Sequence, residues 1–288
     1  MNEQDIGGPI RKWMIYMVTL SKRPARRKHG HRFHGPTVQL PATLCLAILS
    51  LAWIHAAANA ADEHRRIVLI GATAASAGDL IEQALAAGHE VIGVTRRPET
   101  MEVQHERFTA VYGDVYEVNT ITAVLTGDEV VISYIDVNFP FGPEIPAGVD
   151  LFSRGTSNII EAMKRKGNRR LFVTSNMAAE YVVLDKPGPG AQFRDLMGWN
   201  RRHKYADARL METIVEGSEL DYTILRMPHL VPGEPTGRVN IIVGKNSYNT
   251  AVKNQTPPRT LTVADLSAFI LAQMDSDEYI EARVGIYN

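Results

Sequence analysis

Tyr205 and Arg209 have residue types and a spacing that could transfer a proton. They are four positions apart, so in a helix both side chains lie on one face. A neighbouring cation favours the anion of a phenol, and this makes Tyr205 a candidate general acid or base. An ordinary polar helix surface would show the same spacing, and that alternative stays open.

Two further segments could bind phosphate groups. The small residues Gly71 to Gly78 (GATAASAG) follow a short apolar run, and such a turn can bring backbone N–H groups close to a pyrophosphate. Arg96 and Arg97 are adjacent cations at the end of the next apolar run. A plain structural turn and a solvated arginine pair are the alternatives.

The elements that must position these residues alternate between strands and helices. Short β-branched runs are typical of buried parallel strands, and apolar residues at helical spacing follow most of them. The predicted strands are Arg65–Gly71, Glu90–Thr95, Arg107–Tyr112, Glu129–Tyr134, Arg170–Ser175 and Asp221–Arg226, and the predicted helices are Ser76–Ala87, Ile121–Leu125, Leu151–Lys166, about His203–Glu216 and Val263–Met274.

This alternation requires crossover connections and therefore predicts an α/β fold, a doubly wound parallel sheet of the Rossmann type. We expect one such domain over residues 61–288. Three long segments with little periodicity, Val137–Val149, Val183–Asn200 and Val231–Pro258, should lie over the carboxyl edge of the sheet and shape a substrate site.

Three motifs carry a resemblance to a known family. The turn after the first strand resembles the G-A-T-G-x-x-G turn of the extended and atypical short-chain dehydrogenases/reductases, the branch with NmrA-like proteins and flavin or biliverdin-IX-beta reductases. The segment Leu220–Pro228 (LDYTILRMP) is similar to the family's L-D-Y-T-I-x-R-P strand, with Met227 inserted before the proline, and Arg259–Asp265 (RTLTVAD) matches the segment before its last core helix.

The resemblance implies a nicotinamide dinucleotide cofactor, NADP(H) rather than NAD(H). Of the turn's glycines only Gly71 is in register; alanines replace the other two, and Gly78 is one place late. A basic residue after the second strand binds the ribose 2'-phosphate in NADP-dependent members, where NAD-dependent members place an acid. The implied cofactor-binding residues are Gly71, Thr73, Ala74, Ser76, Ala77, Arg96, Arg97, Asp114, Val115 and Ser133.

Within that set, Asp114 and Val115 correspond to the family's G-D-x motif, whose aspartate meets the adenine amino group, and an N-cap for the next helix is the alternative role of Asp114. The family's catalytic serine, tyrosine and lysine correspond to Ser175, Tyr205 and Arg209. Arginine replaces the lysine, and its planar fork differs from a compact ammonium group. Tyr181 is a second candidate acid.

Composition excludes several other classes. Cys45 is the only cysteine and lies in an apolar run near the amino terminus, so a disulfide, a thiolate metal site and a catalytic thiol are not expected in the main domain. His29, His31 and His34 lie among basic residues, and we expect no metal site there either. Residues 61–288 hold 23 Lys/Arg against 30 Asp/Glu, an acidic balance that does not suit nucleic acid.

Residues 1–60 resemble a secretory leader. A basic stretch, Lys22–Arg32, precedes the apolar run Leu40–Ile54, and Ala58-Asn59-Ala60 provides small residues at a cleavage site after Ala60. A run of this length is short for a membrane span. A cleaved leader predicts a secreted or periplasmic protein without a stable span, and the alternative is a disordered leader on a cytoplasmic protein.

The expected function is an NADP(H)-dependent oxidoreductase acting on a small carbonyl, quinone-like or flavin-like molecule, with hydride transfer supplied by the cofactor. Two alternatives remain open. One is a non-catalytic dinucleotide-binding redox sensor or interaction protein, and the other is an epimerase or dehydratase-type member of the same family. Fold alone does not decide among them.

Overall fold

A computed structural model describes residues 64–135, 147–180, 199–253 and 260–288. Tyr181, Arg259 and the whole proposed leader lie outside these residues. Within them the chain forms ten strands and six α-helices. The strands are β1 Arg66–Ile70, β2 Glu90–Thr95, β3 Phe108–Tyr112, β4 Val130–Ser133, β5 Arg170–Asn176, β6 Asp221–Met227, β7 His229–Val231, β8 Asn240–Val243, β9 Thr260–Thr262 and β10 Ala282–Tyr287.

The helices connect these strands. They are α1 Ala77–Ala86, α2 Val118–Val124, α3 Leu151–Lys166, α4 Arg202–Glu216, α5 Ser247–Lys253 and α6 Val263–Ala272, with short 3-10 helices at Pro98–Thr100 and Met177–Glu180. In the described part of the chain, no helix has the length and apolar character needed to cross a bilayer.

Eight strands form the main sheet, in the order β3-β2-β1-β4-β5-β6-β10-β8. The order reverses direction between β1 and β4, which is the arrangement of a doubly wound sheet, and the first seven strands in this order pair in parallel. The predicted fold class is therefore confirmed. A separate two-stranded sheet is formed by β7 and β9.

Both faces of the sheet are covered by helices. Alternate residues of each strand point to opposite faces, so Ile67 and Leu69 pack with α1 and α6, whereas Val68 and Ile70 pack with α2, α3 and α4. The central strands β1, β2 and β4 are buried and largely apolar along most of their length, because helices cover both of their faces.

Helix α3 is bounded by a tertiary contact at its start and by a local signal at its end. Asp207 of α4 accepts hydrogen bonds from the backbone N–H groups of Phe152 (2.8 Å) and Ser153 (3.2 Å). These N–H groups belong to the first turn of α3 and have no partner within that helix. Gly167 ends the helix in the left-handed conformation at φ 89°, and the last turn carries three basic residues that suit the helix dipole.

The carboxyl-terminal third differs from the expectation of an all-parallel sheet. Strand β8 pairs antiparallel with β10, in a register that sets Val243 opposite Val284. Both strands were missed by the sequence reasoning, and β8 lies in the segment Val231–Pro258 that was expected to be aperiodic. The pairing joins segments about 40 residues apart, so the local periodicity of the sequence does not predict it.

Candidate functional site

The carboxyl ends of β1 to β5 bring the predicted cofactor-binding residues to one edge of the sheet. Each group follows its strand directly: the Gly71 turn follows β1, Arg96 and Arg97 follow β2, and Asp114 follows β3. Ser133 is the last residue of β4. In open parallel sheets this edge, at the point where strand order reverses, is where ligands bind.

The turn after β1 can be made only by glycine at position 71. Gly71 has φ 86°, and a Cβ atom there would lie 2.7 Å from the carbonyl oxygen of Tyr134. The Gly71 and Ala72 N–H groups both donate to the carbonyl of Val94, at 3.0 and 3.2 Å. The chain is thus drawn tightly between β2 and β4 before α1 begins.

The two alanines that replace family glycines pack against the core. Ala77 is fully buried and Ala74 is partly buried, and both contact the apolar cluster beneath α1. Ser76 occupies the N-cap position of α1, but its side chain makes no capping hydrogen bond. The methyl groups of both alanines are therefore in contact with the core cluster.

Thr95 links the turn to the arginine pair. The Oγ1 atoms of Thr73 and Thr95 are 3.5 Å apart, and Thr95 Oγ1 accepts a hydrogen bond from the Arg97 N–H at 3.3 Å. Arg96 and Arg97 are exposed. Among the described residues, neither guanidinium forms a hydrogen bond or an ion pair. Two cations beside the turn are therefore available to a ligand.

Asp114 and Val115 begin the connection from β3 to α2. The Asp114 carboxylate accepts a hydrogen bond from the Tyr116 N–H at 3.0 Å, and the Val115 carbonyl accepts one from the Asn158 side chain at 2.7 Å. The N-cap of α2 is Glu117 rather than Asp114. Asp114 thus stabilises the turn before α2 through its Oδ1 atom, and its Oδ2 atom takes no part in the hydrogen bond to Tyr116.

The end of β4 is hydrogen-bonded to β5 and is followed by the buried side chain of Tyr134. The Thr174 hydroxyl donates to the Ser133 carbonyl at 3.0 Å, and Ser133 is 1% exposed. Burial, followed by the nearby charge of Asp79, raises the pKa of Tyr134 well above its usual value. Tyr134 is therefore neutral at physiological pH and belongs to the wall of the turn.

Ser175 does not present a free hydroxyl. It is 6% exposed, and its Oγ donates to Glu212 Oε1 of α4 at 2.7 Å. Glu212 is fully buried and also receives two hydrogen bonds from Arg226, Nε at 2.8 Å and Nη2 at 2.6 Å. A serine has one proton to donate, so while this bond lasts Ser175 can only accept a further hydrogen bond.

Tyr205 and Arg209 share a helix face, as expected, near the start of α4. Because α4 is the crossover between parallel strands β5 and β6, its first turns lie beyond the carboxyl edge. Arg209 Nη1 donates to the Ala179 carbonyl at 2.9 Å, which joins α4 to the 3-10 helix after β5. Tyr205 is partly buried. It precedes Glu212 by seven residues, which is about 10 Å along the axis.

The structure also connects the candidate site to residues that the sequence reasoning did not single out. Glu212 lies two turns after Tyr205 on the same face, a spacing that could have drawn attention to it. Arg226 lies in the LDYTILRMP motif, where it was quoted only as part of a pattern. Glu180 accepts a hydrogen bond from Arg226 Nη1 at 2.9 Å.

A groove of about 670 Å³ lies elsewhere, between β2, β3 and α2. Its lining includes Ile92, Val111, Tyr112 and Val124 and none of the candidate site residues. The groove opens beside the outermost strand of the sheet. We therefore place the candidate site at the carboxyl edge and not in this groove.

Known proteins resemble this chain in sequence and in fold. Residues 71–277 match the sequence model of a family described as NAD(P)H-binding. The fold is similar to that of the oxidoreductase ylbE from Lactococcus lactis, with 18% sequence identity and a TM-score of 0.58 over 77% of this chain and 90% of that chain. At such identity the likeness is one of fold.

Two other solved structures are similar to the same extent. One is a wide-type short-chain dehydrogenase/reductase from Veillonella parvula in complex with NADP, with 18% identity and a TM-score of 0.57 over 78% of this chain and 95% of that chain. The other is ChuY, an anaerobilin reductase from Escherichia coli, with 18% identity and a TM-score of 0.57 over 77% and 96%. The expected resemblance to this group of dinucleotide-binding proteins is confirmed.

Proposed function

The chain belongs to the NAD(P)H-binding family, and on that premise we propose that it is an NADP(H)-dependent oxidoreductase of the atypical short-chain dehydrogenase/reductase type. Its substrate is a small carbonyl, quinone-like or flavin-like molecule. The proposal depends on one observation. Arg96 and Arg97 are exposed beside the tight Gly71 turn and unpaired among the described residues, and together they suit a dinucleotide with an extra phosphate.

The residues present fit this cofactor. The close approach at Gly71 leaves no room for a side chain, which is the condition for backbone contact with a pyrophosphate. Backbone groups from Gly71 to Ala77, with the Thr73 and Ser76 hydroxyls, would hold the phosphates. Arg96 and Arg97 would bind the 2'-phosphate, and Asp114, Val115 and Ser133 would flank the adenosine. When bound, NADPH supplies the hydride.

We propose Tyr205 as the proton donor to the substrate, with Arg209 fixing the nicotinamide ribose and Ser175 orienting the substrate oxygen. The support for Tyr205 is its place on the first turns of α4, beyond the carboxyl edge and one turn before Arg209. Ser175 can donate to a carbonyl only if its hydroxyl leaves Glu212. Its other possible contact is as an acceptor from a substrate O–H or N–H.

That bond to Glu212 favours a second candidate function. A hydroxyl and an arginine that are both occupied by protein partners suit a dinucleotide-binding sensor without turnover. The two candidates differ in one measurement, NADPH consumption with a small quinone or with a flavin. Measurable turnover supports the reductase, whereas tight binding without turnover supports the sensor.

Cofactor preference is tested by calorimetric titration with NADPH and NADH. Charge-assisted hydrogen bonds to phosphate contribute roughly 1.5 to 3 kcal/mol, so the wild type should bind NADPH about tenfold to a hundredfold more tightly. Arg96→Ala should remove most of this preference and leave NADH affinity unchanged. Arg165→Ala is the matched control, since Arg165 is an exposed arginine in the last turn of α3.

Equal affinity of the wild type for the two cofactors would show that neither arginine reads the 2'-phosphate. Loss of NADPH affinity in the Arg165→Ala control would point to a general charge effect. Either result would contradict the proposed NADP(H) preference without touching the family assignment.

We also propose that residues 1–60 are a cleaved leader and that the mature protein begins at Ala61. The support is the succession of basic, apolar and small residues before Ala61. Amino-terminal sequencing of the protein purified from its source tests this. An intact leader would contradict export and leave the proposed activity in place.

A further inference from the structure

We propose that Glu212 and Glu180 are positioning residues on a buried relay that couples the docking of α5 to the hydroxyl of Ser175. The relay consists of Ser175, Glu212, Arg226 and Glu180, joined in that order. This inference rests on the proposed function, since it concerns the serine assigned to the substrate oxygen.

The first link joins the serine to a charged pair. Ser175 Oγ donates to Glu212 Oε1 at 2.7 Å, and the same carboxylate accepts both Nε and Nη2 of Arg226. The bidentate geometry fixes the plane of the carboxylate, because two parallel hydrogen bonds allow little rotation. Arg283 Nη1 adds a third cationic contact at 3.1 Å to Oε2.

The second link runs from the other side of Arg226. Its Nη1 donates to Glu180 Oε1 at 2.9 Å and also to the carbonyl of Lys245. The Arg226 and Glu180 side chains are 3% and 4% exposed. The Arg226 guanidinium therefore contacts helix α4 through Glu212, the 3-10 helix after β5 through Glu180, and the segment that leads into α5 through Lys245.

The third link docks α5 itself. Glu180 Oε1 accepts hydrogen bonds from the Ser247 hydroxyl at 2.8 Å and the Tyr248 N–H at 3.0 Å, and Oε2 accepts the Asn249 N–H at 3.3 Å. The amino terminus of α5 is thus capped by a carboxylate from a distant part of the chain. Ser247 is fully buried, so this contact is shielded from water.

Burial makes these links interdependent. Glu212 and Glu180 both pair with the buried Arg226, and Arg283 adds a contact to Glu212 from the edge of the network, so a change in one carboxylate alters the charge balance around Arg226 where little water reaches it. Hydrogen bonds in such a network polarise one another. A change at Ser175 should therefore reach α5 through Arg226, although the two share no hydrogen bond among those described.

The coupling is measured without substrate, by amide hydrogen exchange of the full-length protein followed by mass spectrometry. Ser175→Ala should raise the exchange rate of residues 247–253 about threefold or more, and Glu180→Gln, which weakens the cap directly, about tenfold. Ser267→Ala is the control, because Ser267 is also buried but donates to the Val263 carbonyl within α6, on the opposite face of the sheet. Exchange in α1 should stay unchanged in all three variants.

A kinetic measurement distinguishes a positioning role of Glu180 from a purely structural one. With NADPH and a small quinone as probe, Glu180→Gln should lower kcat at least about threefold while the Kd for NADPH is unchanged. If Ser175→Ala leaves α5 exchange at the wild-type rate, there is no relay. If exchange is coupled but kcat does not change, the network is structural only.

The proposed reductase function can fail independently of the relay. Absence of quinone turnover in the wild type would refute the function, and the exchange rates of residues 247–253 would still decide whether Ser175 and α5 are coupled.

Discussion

Gly71→Ala should destabilise the fold strongly and Gly78→Ala should not, although both change a glycine to alanine within the segment Gly71 to Gly78. Gly71 has φ 86°, a region that costs an L-residue roughly 1 to 2 kcal/mol, and its new methyl group would lie 2.7 Å from the Tyr134 carbonyl oxygen. The shifts that make room for such a methyl group typically cost a further 1 to 3 kcal/mol. We expect Gly71→Ala to destabilise the fold by about 2 to 5 kcal/mol.

Gly78 is the second residue of α1, and a Cβ atom there meets nothing within 4 Å. Alanine is a better helix former than glycine by up to about 1 kcal/mol, so Gly78→Ala should be neutral or slightly stabilising. The matched pair separates a steric requirement at one glycine from a general need for small residues in this turn.

Urea unfolding followed by circular dichroism measures both variants. With a slope of about 1 to 3 kcal/mol per molar urea, the midpoint for Gly71→Ala should fall by about 1 M or more. Calorimetric titration with NADPH should show weakened binding for Gly71→Ala and wild-type affinity for Gly78→Ala. Equal loss in the two variants, or an unaffected Gly71→Ala, would refute the reasoning.

Three further outcomes are expected. Tyr205→Phe should lower quinone turnover by about 10²- to 10⁴-fold with unchanged NADPH affinity; a smaller loss would remove Tyr205 as proton donor. Burial raises the pKa of Glu129, but hydrogen bonds from hydroxyl, amide and backbone N–H groups outweigh it and lower the pKa to about 2, from 4.5. The ionised Glu129 therefore contributes about 3 kcal/mol to the free energy of unfolding above pH 4.5, and this contribution is lost as the pH falls towards 2. In urea titrations at several pH values, Glu129→Gln should make the free energy of unfolding depend less on pH between 4.5 and 2. Asp207→Ala leaves two N–H groups at the start of α3 unpaired and should cost about 1 to 3 kcal/mol by the same assay; a wild-type midpoint would show that water replaces the carboxylate.

Much of the fold could be predicted from local sequence. Strand β2 and helix α3 have the predicted bounds, and the other predicted strands and helices agree to within a few residues at each end. This succeeds because burial on both faces makes a parallel strand apolar throughout, and because helix ends have local signals such as Gly167. The antiparallel pair β8 and β10 was missed, since its stability comes from pairing between distant segments.

Part of the candidate site could also be predicted from the sequence. The turn, the arginine pair and Asp114 each follow a predicted strand, and in a parallel sheet the ends of those strands meet at one edge. The sequence by itself therefore determined the family and the fold, and it predicted candidate cofactor-binding residues that the topology brings to one edge of the sheet. Only the tertiary structure decided that the Ser175 hydroxyl donates to Glu212, 37 residues away, because that contact depends on how α4 packs on β5.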